Sequence, residues 1–285
     1  MRRRFTVSDV VLYGVLVLLC GTILYPMLHV VAVSMSGPLY ITRNEVTVYP
    51  RGFTLEAYTH ILKNGQVLRA FLNSVRYTVV GTLINLLMTV VMAYPLSRSR
   101  LFCRNIIIKL LTVTMFFNGG IIPTFLVVRA VGLLDSMWAL VLPNAIWTME
   151  LLIMISFFRS LPVSLFESAM LDGASEYRTL AQIAVPLSKA SIASIAMFFF
   201  MGHWNSYLLP MIYLNTSAKF PLQLVLRSML LEDSEATSLI METNLLTPIS
   251  VKNAVIFITM VPVMIVYPFV QRYFVKGVMI GSLKG

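Results

Sequence analysis

Apolar positions along this chain gather into six long runs divided by polar segments. They are roughly Val10–Val33, Ala70–Leu96, Ile106–Val131, Met137–Phe158, Lys189–Leu214 and Val251–Tyr273. Each approaches or exceeds the roughly 20 residues that a helix needs to cross the hydrocarbon core of a bilayer. The pattern predicts an all-α membrane protein with six transmembrane helices. Several runs contain Pro or Gly: Pro26, Gly81, Gly119-Gly120-Ile-Ile-Pro123, Pro143, Pro210, Pro262 and Pro268. Breaks at such positions persist in a membrane where neighbouring protein or a watery path satisfies the freed backbone groups. A packed bundle meets that condition and a simple anchor does not.

A polar interruption between two of these runs spans about 159–188, and it carries helix signals of its own. Pro162 precedes Ser164-Leu-Phe-Glu167, which fits a capping box. Leu165, Ala169 and Met170 come next at helical spacing. Asp172-Gly173 should end that helix, because Gly173 can take a positive φ and Asp172 can cap the next helix. A second short helix is expected from about Ala174 to Ile183, ending before Pro186. Two short helices around an Asp-Gly corner make a docking knob between membrane spans.

Composition supports the membrane reading. The chain has 285 residues, 58% hydrophobic and 12% charged, against about 25% charged in ordinary soluble domains. The net charge of +10 would suggest nucleic acid in a soluble protein, but here it belongs to loops beside spans. With the amino terminus inside, the inner segments hold Arg2, Arg3, Arg4, Arg98, Arg100, Arg104, Lys109, Arg159, Arg178, Lys189, Arg272, Lys276 and Lys284. The positive-inside rule then puts both termini and the Glu167 loop in the cytoplasm. The first run is too long for the core of a signal peptide, so residues 1–9 read as a cytoplasmic N-terminus and 10–285 as one membrane domain. The outer loops, 34–69 and 215–250, offer Tyr49-Pro-Arg-Gly-Phe53, Leu55-Glu-Ala-Tyr58 and the acidic Glu232-Asp-Ser-Glu235 for contact with a soluble partner.

Other chemistry is thin. Cys20 lies in the first run and Cys103 in a basic loop, so no disulfide is expected. No G-x-x-x-x-G-K-[ST] motif is present, so the chain does not itself cradle ATP. His29, His60 and His203 lack metal-ligand spacing, and no Ser sits in a nucleophile elbow. No catalytic residue, metal or cofactor is expected. An intramembrane enzyme, a secondary transporter or a channel would want ionisable relays in the spans, and only Glu150 lies deep in a run.

Glu167, Ala169, Asp172, Gly173, Ala174, Ile183 and Pro186 resemble the signature loop of binding-protein-dependent ABC importer permeases, E-A-A-x-x-D-G-A then a spacer and Pro. Ser168 replaces the usual second Ala, and Leu180 stands where an aromatic is common. The tail from Tyr267 to Gly285, Trp204-Asn205 and Asn118-Gly-Gly-Ile-Ile-Pro123 resemble the carbohydrate-uptake branch, closest to the subgroup for polysaccharide-derived oligosaccharides. The resemblance implies a type I importer permease fold with a cytoplasmic coupling helix in the loop 159–188. The tail 274–285 is also expected in the cytoplasm. It implies a second homologous permease, two cytoplasmic ATPase subunits and an extracytoplasmic solute-binding protein as partners, in membrane lipid and without nucleic acid. ATP hydrolysis then belongs to the separate subunits, and the cargo is a sugar; a peptide or polyol is the alternative within the same machine. The ATPase contact is expected at Glu167, Ala169, Met170, Leu171, Asp172, Gly173 and Ala174.

For the translocation path the residue types suggest Asn144, Glu150, Trp204 and Asn205. Polar groups in hydrocarbon are costly and usually face a bundle interior or cavity. Sugars bind between an aromatic face and amide or carboxylate groups. Asn144 and Glu150 are about 240° apart on an ideal helix, so they share a face only if the helix breaks after Pro143.

Overall fold

The computed structural model describes residues 7–63, 65–99, 101–117, 119–231 and 247–282. Arg2, Arg3, Arg4, Arg100, Asn118, Glu232-Asp-Ser-Glu235 and Leu283-Lys-Gly285 lie outside them. The described residues form helices and loops, with no strand among them. In chain order the helices are α1 (Val7–Ser34), α2 (Pro38–Thr42), α3 (Glu56–Lys63), α4 (Gly65–Ser97), α5 (Arg104–Phe116) and α6 (Ile121–Ala130). Then come α7 (Met137–Val141), α8 (Thr148–Ser160), α9 (Val163–Leu171), α10 (Glu176–Thr179) and α11 (Val185–Leu187). The chain continues through α12 (Lys189–Trp204), α13 (Leu208–Tyr213), α14 (Leu222–Leu231) and α15 (Pro248–Ser282).

Among the described residues three helices are long and apolar enough to cross a membrane unaided, within α1, α4 and α15. Three bent pairs bring the number to six if each counts as a span: α5 with α6 at 112°, α7 with α8 at 49°, and the segment 176–187 with α12 at 83°. The expected runs thus appear, and two of their breaks fall at the named positions Gly119-Gly120 and Pro143, while other named Pro and Gly positions leave their helices unbroken. Helix α1 continues past Pro26, and α15 past Pro262 and Pro268. In lipid, opening more of the backbone costs more than the one bond a proline forfeits. Gly81 sits inside the unbroken α4. The fifth run is interrupted at 205–207, between α12 and α13. Helix α12 alone reaches only about 24 Å at 1.5 Å per residue, so α13 is needed to extend the run.

The chain divides into two compact units, residues 1–68 with 225–262 and residues 69–224 with 263–285. In the first, Ala32, Val33, Ile41 and Val46 form a small core beside Tyr40. Ser34 and Tyr58 share a hydrogen bond of 2.7 Å, and Tyr58 packs edge-on against Phe257. Tyr58 therefore points inward, while Tyr49 and Phe53 remain exposed.

The second unit holds most of the bundle. One core joins Tyr94, Leu151, Met154, Phe158, Phe166 and Phe199 with their neighbours. At the ends of α6 and α13 a polar knot ties two loops. Asp135 accepts from the backbone N–H of Asn215 and Thr216, from the Thr216 hydroxyl and from Lys219 Nζ at 2.6 Å. The Lys219 bond, and after it those from Thr216, holds the Asp135 carboxyl well below the usual carboxylate range. Cys20 and Cys103 are both free.

Candidate functional site

The loop 159–188 folds into a firm corner, though by other caps than the residues suggest. Pro162 keeps an extended backbone and stands at the N-cap of α9 with no side-chain cap. Ser164 therefore falls within the first turn, and the capping box does not form. The end of α9 is built as expected of Gly. Gly173 has φ +71°; its N–H bonds to the Met170 carbonyl at 3.0 Å, and that of Ala174 to Ala169 at 2.9 Å. This pair of bonds is a Schellman closure, which requires a left-handed residue at this position.

Asp172 does not cap the next helix. It closes α9, and the Ser175 hydroxyl caps α10 by accepting from the Arg178 N–H at 3.4 Å. Nor does the helical path stop before Pro186. A wide π turn over 180–184 shifts the bonding frame, and Pro186 enters the first turn of α11, where its missing N–H costs nothing. The chain then bends by 83° into α12.

Of the expected contact residues, Ala169 faces inward with Phe166, and Ala174 is half-buried. Glu167, Met170, Leu171, Asp172 and Gly173 are exposed. Leu171 is 89% and Tyr177 85% exposed. Two large apolar groups thus project from a rigid polar corner, which is the dress of a docking surface. The corner is fixed from below by α4. Tyr94 Oη donates to Glu176 at 2.8 Å. One turn on, the Arg98 guanidinium lies 3.3 Å from the centre of the Phe166 ring.

A second feature lies within the bundle. Asn85, fully buried, donates from Nδ2 to the Asn144 carbonyl at 2.6 Å. Its Oδ1 is left to accept from His203 Nε2 at 2.7 Å. The network borders a cavity of about 160 Å³ lined in part by Tyr77, Asn144, Trp147, His203 and Ser206. Trp147 packs edge-on against Phe199 and tilted against His203. Two glycines make this possible. A Cβ on Gly202 would overlap the Trp147 ring, and one on Gly81 would come within 2.6 Å of His203.

The backbone does break after Pro143. Asn144 ends a 3₁₀ turn and α8 starts at Thr148. Asn144 reaches the cavity; Glu150, half-buried in the first turn of α8, is not among its lining residues. Trp204 is buried, stacked on Phe200 and edge-on to Phe71. Asn205 is exposed and accepts from Gln223 at 3.4 Å. Residue reading missed Asn85, Trp147 and His203. Asn85 carried a usable signal, an amide inside an apolar run. Among the described residues no group of three or more His, Cys, Asp and Glu could hold a metal ion.

No family model matches the chain. It is 39% identical over 280 residues to the polygalacturonan/rhamnogalacturonan transport system permease protein YtcP of Bacillus subtilis, covering 97% of this chain and 98% of that one. The chain belongs to the permeases of sugar ABC importers. Protein LplC of Bacillus subtilis is 43% identical over 262 residues, 91% of this chain and 89% of its own. Among solved structures, a chain of a bacterial ABC transporter involved in the import of the acidic polysaccharide alginate is 31% identical. It superposes with a TM-score of 0.90 over 95% of this permease and 99% of that chain. The permease is thus an all-α, multi-pass membrane protein.

Proposed function

We propose that this permease pairs with a second, homologous permease to form the path for an oligosaccharide cut from a polysaccharide and delivered by an extracytoplasmic binding protein. Two separate ATPase subunits bind beneath the pair, and the corner formed by α9 and α10 is this permease's contact with them, with both termini on the same, cytoplasmic side. The observation that carries the reading is the exposed apolar tip, Leu171 and Tyr177, on a Schellman-closed corner held by Tyr94 and Arg98. Nucleotide-driven closure of the ATPases would move that corner, and α4 with it, so that nucleotide state and membrane-domain state share one free-energy linkage. The named relatives support the sugar cargo over a peptide or polyol. In the path we place Asn144, with Trp147 and His203 beside it; Trp204 backs this wall, and Glu150 and Asn205 border the path at helix ends.

The decisive experiment is reconstitution of the permease with its partner permease, ATPase and binding protein in vesicles. ATP-dependent uptake of oligogalacturonides or alginate oligosaccharides, with none of peptides, is the expected result. Uptake of peptides alone would overturn the cargo assignment.

A further inference from the structure

We propose that the cavity between the ends of α4, α5 and α8 and the helices α9 and α10 binds a phosphate group, supplied by the headgroup of an anionic phospholipid. The proposal rests on the cytoplasmic placement of this corner. The cavity measures about 380 Å³, and three different segments each bring an arginine to it: Arg98, Arg104 and Arg159. Glu167 and Glu176 also line it.

Among the described residues no carboxylate neutralises the three cations. Among the described residues the ion pairs are Arg51 with Glu45 and Lys219 with Asp135, and none of the three arginines has a carboxylate within 4 Å. Glu176 is already engaged by the Tyr94 hydroxyl. Arg98 stacks on Phe166 and Tyr94, and its Nε and Nη2 are shut off from water without an acceptor. Buried guanidinium N–H groups are seldom left in that state. A modest rearrangement around an entering oxyanion would give them acceptors.

The chemistry selects the anion. Guanidinium forks match phosphate oxygens in pairs. With three arginines and two glutamates in the lining, a singly charged phosphodiester brings the formal charge of the cavity to zero. Leu161 and the exposed Val163 add apolar surface to the lining, which an acyl chain can cover and free phosphate cannot. Basic pockets between membrane helices on the cytoplasmic side are suited to anionic headgroups. An occupant here would touch both α4 and the docking corner, so bound lipid would stiffen the joint between them.

The test compares the whole importer with the Arg104→Gln/Arg159→Gln variant, which leaves the stacked Arg98 in place. Both are reconstituted in nanodiscs of phosphatidylcholine mixed with phosphatidylglycerol, and retained lipid is read by native mass spectrometry. Wild type is expected to retain phosphatidylglycerol selectively, with the variant losing about thirtyfold of that preference at roughly 1 kcal/mol per arginine. In parallel, thermal unfolding of the detergent-purified importer is monitored in sodium phosphate and in sodium chloride of equal ionic strength. Saturable protection by phosphate that the variant loses, without lipid selectivity, would support the oxyanion site and assign it to free phosphate. Equal lipid retention by wild type and variant with no phosphate protection would overturn the proposal, as would cross-linking of Arg159→Cys to an ATPase subunit with no lipid retained. Lipid retention is measured without ATP, so it stands or falls independently of whether the Glu167 corner docks the ATPase.

Discussion

The hydroxyl of Tyr94 donates to the carboxylate of Glu176 across 2.8 Å, joining the last turn of α4 to the first turn of α10. Tyr94 is buried while Glu176 is exposed, so the bond runs from the bundle core to the docking corner. Arg98, just past the end of α4, grips α9 through Phe166. A movement of either short helix is thereby felt by one long membrane helix.

Removing only that hydroxyl isolates its share. Tyr94→Phe keeps the ring and its edge contact with Phe158. A hydrogen bond to a charged group contributes about 1.5–3 kcal/mol; with Glu176 exposed the low end applies, so uptake per ATP hydrolysed is expected to fall about tenfold. ATPase activity and subunit assembly should persist. Parallel measurements of uptake and phosphate release in vesicles decide it; an unchanged ratio would mean that the bond is ornamental to transport.

Gly173 has φ +71° and no atom within 4 Å of where a Cβ would stand. The Cβ of a valine there has open space inside the permease, but its backbone is strained by about 1–3 kcal/mol. Gly173→Val should therefore leave the permease folded and abolish transport by crowding the ATPase contact. Gly173→Asn, which tolerates the left-handed region, should lose less. Normal uptake by the valine variant would show the corner to be a plain surface turn.

Much of this was legible in the residues. The six apolar runs reappear because period and length report membrane helices directly. Asp172-Gly173 ended its helix because few residues besides Gly accept that geometry. The exact caps were not legible, since Pro162 set the start of α9 ahead of Ser164 and Ser175 stood nearer to α10 than Asp172. Nor were the roles of Gly81 and Gly202, which appear only when Trp147 and His203 arrive from distant segments.

The orientation of the chain has a direct test. Single cysteines at Ser175 and Ser217, both exposed, lie on loops at either end of the fifth run. In a background lacking Cys20 and Cys103, an impermeant maleimide added to intact cells should label Ser217→Cys, and Ser175→Cys only after permeabilisation. Labelling of both from outside would overturn the six-span topology and with it the cytoplasmic docking corner.

Close approach of α12 to the Trp147 segment is a packing constraint. Gly202→Ala forces the added methyl into the Trp147 ring, and overpacking of this kind costs about 1–3 kcal/mol. The purified permease should unfold at a lower temperature. Adding Trp147→Leu should recover much of that loss, because the two changes share one space. If the double variant is merely the sum of the singles, the contact is not the cause.

The path assignment separates residues that touch cargo from residues that support them. His203 and Trp147 border the cavity beside Asn144, whereas Trp204 is buried between Phe71 and Phe200. An aromatic face next to polar groups suits a sugar ring. Trp147→Ala and His203→Ala are therefore expected to lower uptake of the cognate oligosaccharide about tenfold, at the roughly 1–2 kcal/mol of a lost ring or hydrogen-bond contact. Stimulation of the ATPase by the loaded binding protein should persist, since the docking corner is intact. Trp204→Ala instead removes a packed ring, at about 3–5 kcal/mol, and should show chiefly as a lower unfolding temperature and poorer assembly. Uptake kinetics with oligosaccharides of two lengths, set beside thermal unfolding of each variant, distinguish the cases. If His203→Ala and Trp147→Ala lose stability as Trp204→Ala does and leave the uptake of surviving protein unchanged, the cavity is a packing defect and the path runs elsewhere.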